Sequence, residues 1–304
     1  MDRLLAMRVF TRLVDTGGFG KAADALRLPK STVTKMIQTL ESELGVRLLE
    51  RTTRRISVTA EGAAYYEHTR RMLADLDDFE SDLAGGGNSP IGPLRVETGG
   101  SVAARLLIPA LGEFRERFPG IELQIGVSDR TVDLLSEGVD CAIRSTGDDP
   151  AVVARQIAEL PWALTATPAY LARQGMPETL SDLKDHAMVG YFSARTGRSQ
   201  PLRLSDPSGA VHTVDIARAL EVNESNAHSA AALAGLGLVQ TLRFQVADAL
   251  DDGRLVDVMP TWQPPPLPVY LVYLPTRRHN PRLRAFVEWV AQALPARAGA
   301  SPIT

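Results

Sequence analysis

The sequence predicts an α/β protein with three parts: an N-terminal winged helix-turn-helix, a long polar helix and a larger α/β body. Three observations carry this. Two short helical patterns meet at a tight break between Phe19 and Gly45. A long helical pattern stops at Gly85-Gly86-Gly87-Asn88-Ser89-Pro90, where glycine loosens the chain and proline blocks further helix. Beyond that break strand and helix patterns alternate, which predicts a mostly parallel sheet with helical crossovers.

The first helix is expected from Asp2 to Thr16, with Leu5, Val9, Phe10 and Leu13 as its apolar stripe and Gly17-Gly18 as its stop. The second carries Ala22, Ala23 and Leu26 on one face, and the small alanine pair permits a close helix crossing. After a turn at Leu28-Pro29-Lys30, a third helix carries Val33, Ile37, Leu40 and Leu44 on one face. Its other face shows Lys30, Ser31, Thr34, Lys35 and Gln38, short or cationic donors of the kind that meet phosphates and base edges. A solvated helix pair would show the same pattern. The next segment favours a DNA-reading element: Leu48 to Thr59 reads as a β-wing with a basic tip at Arg51, Arg54 and Arg55, then the strand alternation Ile56, Ser57, Val58, Thr59.

Charge is distributed accordingly. Residues 1–59 hold three Lys and eight Arg against three Asp and three Glu, a net +5, which leaves −8 on the remainder of a chain whose total is −3. A basic head on an acidic body fits a nucleic-acid-binding module joined to a different one. The single cysteine, Cys141, excludes an internal disulfide and a cysteine metal cluster. It sits in an apolar run and reads as a buried thiol, with a redox sensor as the lesser alternative. No signal peptide or membrane-spanning run is expected, so the sequence points to a cytoplasmic protein without membrane contact.

Glu61 to Leu83 reads as a long helix carrying Tyr65, Met72, Leu76, Phe79 and Leu83. The last four follow a heptad-like spacing and suggest a dimerisation seam, although a helix lying on its own domain would look alike. The division expected is 1–59 for the winged head, 60–84 for the linker and dimerisation helix, 85–91 for a flexible hinge and 92–304 for the body. In the body, strands are expected at 94–98, 121–125, 139–144, 162–166, 187–192, 202–204, 255–256 and 269–274. Helices are expected at 103–118, 131–137, 226–234, 243–250 and 281–294, with the last ten residues frayed.

From Met1 to Gly62 the chain resembles the N-terminal domain of LysR-type transcriptional regulators. The matching residues are Gly18-Phe19, Ala22-Ala23, Leu26, Val33, Leu40-Glu41, Leu44-Gly45, Leu48, Arg51, Arg54, Thr59 and Gly62. It departs from the family at Pro29-Lys30-Ser31, where Ser-Gln or Ser-Pro is usual. The body resembles the family's effector-binding domain through Gly92-Pro93-Leu94-Arg95-Val96, Phe118-Pro119, Gly138-Val139-Asp140, Thr167-Pro168-Ala169-Tyr170-Leu171 and Gly235-Leu236-Gly237. The resemblance implies two α/β lobes similar to periplasmic binding proteins, here 92–165 with 268–295, and 166–267. It also implies double-stranded promoter DNA as a partner, a small-molecule effector weighted toward carboxylates, a homodimer assembling to a homotetramer, and RNA polymerase contact if the protein activates.

Polar groups at strand ends and helix starts are the effector candidates. They are Thr98, Ser101 and Val102 at a Gly-Gly turn, Arg144 and Ser145 at a strand end, Thr165 and Thr167 at the first crossover, Asn223 and Ser225 at the return side, and Val239 with Gln240 on the pocket floor. Ser101 serves equally as a helix cap, and for Arg144 pairing with an acid is the favoured alternative to effector contact. The five histidines are scattered without zinc spacing, and no HExxH, GxSxG or P-loop pattern occurs. Among them His212 and His228 read as surface or satisfied core residues. No cofactor, metal or catalytic residue is expected. The alternative reading is a cytoplasmic solute-binding or enzymatic α/β domain fused to a DNA-binding head.

Overall fold

The structure is a computed structural model describing residues 2–51, 56–83, 90–194 and 196–299, without the side chains of 51, 56, 74, 75, 77, 78 and 81–83. The chain forms two compact units, Met1–Pro93 and Leu94–Thr304.

The first unit opens with α1 (Arg3–Thr16), capped by the Asp2 carboxylate, which accepts from Leu5 N at 3.0 Å. Then come α2 (Phe19–Leu26) and α3 (Lys30–Leu44). Phe10, Leu13, Ala22, Val33, Ile37 and Leu40 bury the apolar faces in one core. The short strands β1 (Leu49–Arg51) and β2 (Ile56–Val58) pair antiparallel with Leu49 opposite Val58. Glu41 fixes the wing to α3: its Oε1 accepts from Leu48 N at 2.8 Å and Leu49 N at 3.1 Å. The wing-tip residues Arg54 and Arg55, the Arg51 side chain and the joint at 84–89 lie outside the described residues.

The helix α4 (Ala60–Leu83) begins under Thr59, whose Oγ1 accepts from Gly62 N at 2.9 Å and donates to Arg47 O at 2.7 Å. A Cβ on Gly62 would lie 2.0 Å from Leu48 O and 2.8 Å from Val58 Cγ1, so the helix meets the wing backbone only through glycine. Gly62→Ala is therefore expected to destabilise the head by roughly 1–3 kcal/mol, the usual range for overpacking. Calorimetric unfolding reads this directly, and an unchanged head transition would refute the contact.

One expected seam residue belongs elsewhere. Tyr65 packs edge-on against Phe10, with ring centroids 5.5 Å apart, and so serves the head's own core. Further along α4, Met72 and Phe79 stand 46% and 56% exposed and Leu76 is half-buried. The Leu83 side chain lies outside the described residues.

The strand β3 (Gly92–Thr98) leads into the second unit, and the chain then enters α5 (Gly100–Val102), a π-helical stretch (Ala103–Leu107) and α6 (Ile108–Arg117), which run on as one helix over 100–117. Next come β4 (Ile121–Val127), β5 (Cys141–Arg144) and β6 (Val153–Leu160). Residues 131–137, expected as a helix, form turns instead. The Asp133 carboxylate accepts from Leu135 N at 2.9 Å and Ser136 N at 3.0 Å, giving the backbone a competing arrangement.

The chain crosses at Pro161 into β7 (Trp162–Ala166), α7 (Pro168–Gln174), β8 (Ala187–Tyr191), β9 (Leu202–Ser205), β10 (Val211–Val214), β11 (Ala217–Val222), α8 (Ser225–Leu233), β12 (Val239–Leu242), α9 (Arg243–Asp251) and β13 (Val256–Asp257). It returns as β14 (Leu267–Tyr273) and closes with α10 (Pro281–Ala298). The last helix runs past the expected end at 294 and keeps Pro295 buried inside it.

The first lobe carries a five-stranded sheet in the order β4-β3-β5-β14-β6. It is mixed rather than mostly parallel. β3 and β5 are parallel, but β14 returns from the other lobe and runs antiparallel to both β5 and β6. The second lobe is built on β12-β7-β13, with β11 parallel to β8 and a β9-β10 hairpin. β7 belongs to this second sheet, so the crossing falls at Pro161 and not near 165. Phe114, Phe286 and Trp289 anchor the first core, and Leu164, Leu183, Leu204 and Leu238 the second. Cys141 is fully buried and burial pushes its thiol well up, which removes the nucleophilic thiolate a redox sensor needs.

Candidate functional site

Two surfaces bear chemistry. On the head, α3 presents Lys30, Ser31, Lys35 and Gln38 as exposed side chains, while Val33, Ile37 and Leu40 face inward. Thr34 is half-buried, and its hydroxyl proton is spent on Lys30 O at 2.9 Å, leaving its methyl and lone pairs outward. The helix has Pro29 as N-cap with no side-chain cap bond and no acid in its first turn. Its start is an uncapped positive end flanked by Lys30, the arrangement that receives a phosphate. Exposed Thr32 in the same turn is a further candidate that the sequence pattern does not single out.

In the body, the two sheets enclose a cavity of about 310 Å³. Of the sequence candidates, Thr98, Ser101, Val102, Arg144, Ser145 and Ser225 line it. Thr165, Thr167, Asn223 and Val239 do not. Thr165 is buried in β7 with its hydroxyl 3.4 Å from Val239 O, and Val239 itself packs in the second core. Thr167 caps α7 by accepting from Tyr170 N at 3.2 Å. Asn223 contributes its carbonyl to the Tyr191 hydroxyl at 3.2 Å. Strand alternation accounts for Val239: its neighbour Gln240, the other floor candidate, points to the opposite face and lines the cavity.

An apolar wall of Val102, Ile143, Leu160, Trp162, Leu242 and Val269 faces polar groups from both lobes. Thr98 is 3% exposed, and its Oγ1 has no hydrogen-bond partner among the described residues. Arg144 is part-buried, donates through Nε to Thr146 O at 3.0 Å and lies 3.7 Å from Asp149, which leaves guanidinium capacity toward the cavity. Gln245 is held by the Thr241 hydroxyl, which donates to Oε1 at 2.9 Å, with Ser229 Oγ at 3.1 Å. That fixes its amide oxygen as the acceptor and leaves its NH₂ as a donor.

His228, expected at the surface or as a satisfied core residue, is buried and lines the cavity, 3.0 Å from Val189 O through Nε2. Burial lowers its pKa, so the ring is neutral near pH 7 and Nε2 carries the proton that the carbonyl accepts. Asp129, Tyr191 and Trp162 also line the cavity, and none of them stands out in the sequence. Asp129 gathers Gly100 N at 2.7 Å, Ser225 N at 2.6 Å and the Tyr191 hydroxyl at 3.1 Å. Burial and the Asp129 charge push the Tyr191 hydroxyl above its ordinary value, so it remains a donor.

A polar-lined cavity between two α/β lobes, joined in one chain to a winged helix-turn-helix, defines a ligand-responsive DNA-binding regulator. The chain matches the family model of the bacterial regulatory helix-turn-helix protein, lysR family, over residues 4–63 and that of the LysR substrate binding domain over 87–295. It is 37% identical to an HTH-type transcriptional repressor of Pseudomonas aeruginosa across 96% of this chain and 92% of that protein. It is 30% identical to the HTH-type transcriptional activator AaeR of Escherichia coli across 90% and 88%. Among solved structures, CrgA, a LysR-type transcriptional regulator from Neisseria meningitidis, aligns with a TM-score of 0.61 at 28% identity, covering 95% of this chain and 98% of that one. The chain belongs to the LysR family of transcriptional regulators. It is a DNA-binding regulator with an effector-binding domain and not an enzyme, and the fused solute-binding or enzymatic alternative is not favoured. Among the described residues no helix is long and apolar enough to cross a membrane.

Proposed function

We propose that a small molecule held between the lobes controls how this protein binds promoter DNA. The observation that carries this reading is the cavity's unused hydrogen-bonding capacity: the buried, unpartnered Thr98 hydroxyl beside Arg144, opposite an apolar wall that includes Trp162. Such a set takes a ligand with an apolar body and an acceptor head. A carboxylate suits Arg144 best, because guanidinium pairs with it in two parallel bonds.

On the DNA side, Lys30, Ser31, Lys35 and Gln38 reach the major groove, Thr34 offers its methyl group, and Arg51, Arg54 and Arg55 follow the backbone beside it. Met72, Leu76, Phe79 and Leu83 join two chains along α4. Contacts between bodies then build the homotetramer, in the cytoplasm, and RNA polymerase is a further partner where the protein activates. The ligand shifts the assembly only by its differential affinity for the two arrangements.

A thermal-shift screen of small carboxylates on the full chain identifies the ligand class. Thr98→Val keeps the shape and removes the hydroxyl. It is expected to weaken the identified ligand about tenfold, close to 1.4 kcal/mol, while operator affinity without ligand stays unchanged. A ligand that binds both Thr98→Val and Arg144→Ala as tightly as the unaltered chain places the pocket elsewhere.

A further inference from the structure

We propose that Asp129 is a built-in carboxylate that clasps the mouth of the cleft and denies the two helix starts there to an anionic ligand. This makes it a specificity-determining residue for the proposed effector site, and the inference rests on that reading. Its Oδ1 accepts from Gly100 N at 2.7 Å on the first lobe. Its Oδ2 accepts from Ser225 N at 2.6 Å and from the Tyr191 hydroxyl at 3.1 Å, both on the second lobe. One side chain thus ties groups 29 and 96 residues away in sequence across the cleft. Its own loop is secured by Ser128 N, which donates to Thr98 O at 3.0 Å.

The neighbouring amides are also taken. Ser101 N donates to Ser225 Oγ at 3.0 Å, a second bond from lobe to lobe. Asn226 N and Ala227 N donate to the Glu224 carboxylate at 3.0 and 2.8 Å. Free first-turn amides are what make a helix start receive an anion, and here those of Gly100, Ser101, Ser225, Asn226 and Ala227 are filled from within the chain. A ligand carboxylate at the mouth would also meet the like charges of Asp129 and Glu224.

Two independent features agree. A Cβ on Gly100 would lie 2.6 Å from Glu224 Oε1 and 2.8 Å from Asn226 Nδ2, so the second helix start brings its side-chain ends directly against the glycine of the first. Among the described residues, the buried side-chain donor in the cavity without a partner is Thr98 Oγ1. The ligand is therefore read by Thr98 and Arg144, and the anion at the mouth is Asp129 itself.

The test uses the full chain and acetate, with acetamide and chloride as controls. Asp129→Ala leaves a carboxylate-sized gap facing three donors. Its body is expected to melt roughly 5 °C lower, in line with the loss of charge-assisted bonds in a unit of this size. Acetate should restore most of that loss in a saturable way, beyond any gain it gives the unaltered chain through Arg144, and acetamide and chloride should not. No acetate-specific recovery in the variant, or an equal gain in both proteins, overturns the proposal.

Asp129→Asn gives a second, milder readout by hydrogen exchange. Peptides spanning 97–103 and 222–228 should lose protection together, by at least about tenfold, because one carboxylate protects amides in both. Loss in only one peptide, or in neither, also overturns it. Neither measurement needs an effector, so the clasp can fail while ligand control of DNA binding stands, and the reverse.

Discussion

Lys35→Ala is expected to weaken specific operator binding by roughly ten- to a hundredfold, about 1–3 kcal/mol, and to relax the base preference at one position of each half-site. The reason is local. Lys35 is exposed on α3 four residues before Thr39 and one turn beyond Ser31, on the face opposite the buried Val33, Ile37 and Leu40. Its removal leaves the head's core untouched, so the loss reports contact and not folding. Arg55→Ala provides the contrast. A wing-tip arginine that follows phosphates should weaken all duplexes evenly and lower the slope of log affinity against log salt by roughly 1. Fluorescence anisotropy on operator and scrambled duplexes at several salt concentrations separates the two. Equal losses on both duplexes for Lys35→Ala would take that residue out of the base contacts.

Phe79→Asp is expected to break the α4 seam. In a single chain Phe79 is 56% exposed, so the substitution costs the monomer little. Packed against a second α4 the same carboxylate would be buried without a partner, a cost of several kcal/mol. Light scattering should show the mass halved, and operator affinity should fall because two heads are no longer tied together. A variant that keeps both its mass and its affinity would show that α4 joins no partner through this face. Tyr65 is excluded from the test, since its ring fills the head's own core against Phe10.

The head is legible in the sequence because its signals are local. A four-three-four spacing on α3, a small-residue crossing at Ala22 and Ala23, and two-residue alternation in the wing each need only a dozen neighbours. The body is legible as alternating elements but not as a sheet, because the direction of β14 depends on where the chain returns from the second lobe. The strand β6 leaves no local mark: Val153 to Leu160 reads VARQIAEL, with no clean alternation, and its pairing with β14 shifts register after Val269.

The cleft is half legible. Thr98 and Ser101 are marked by a Gly-Gly turn, and Arg144 by the end of an apolar strand. Asp129 is not, because Ser128-Asp129-Arg130 reads as a polar surface turn. Its partners lie in distant segments that only the tertiary fold brings together. At β12 the sequence offers Val239 and Gln240 together, and alternation separates them: Gln240 lines the cavity while Val239 packs into the core.

The central claim is coupling between the cleft and the DNA, and linkage makes it measurable from both ends. Calorimetry gives the affinity of the full chain for its carboxylate ligand with and without saturating operator. Anisotropy gives its affinity for operator with and without saturating ligand. The account predicts that the two ratios are equal, differ from one by about fivefold or more, and collapse to one in Arg144→Ala. A ligand that binds in the cleft with the same affinity whether or not operator is present would contradict it.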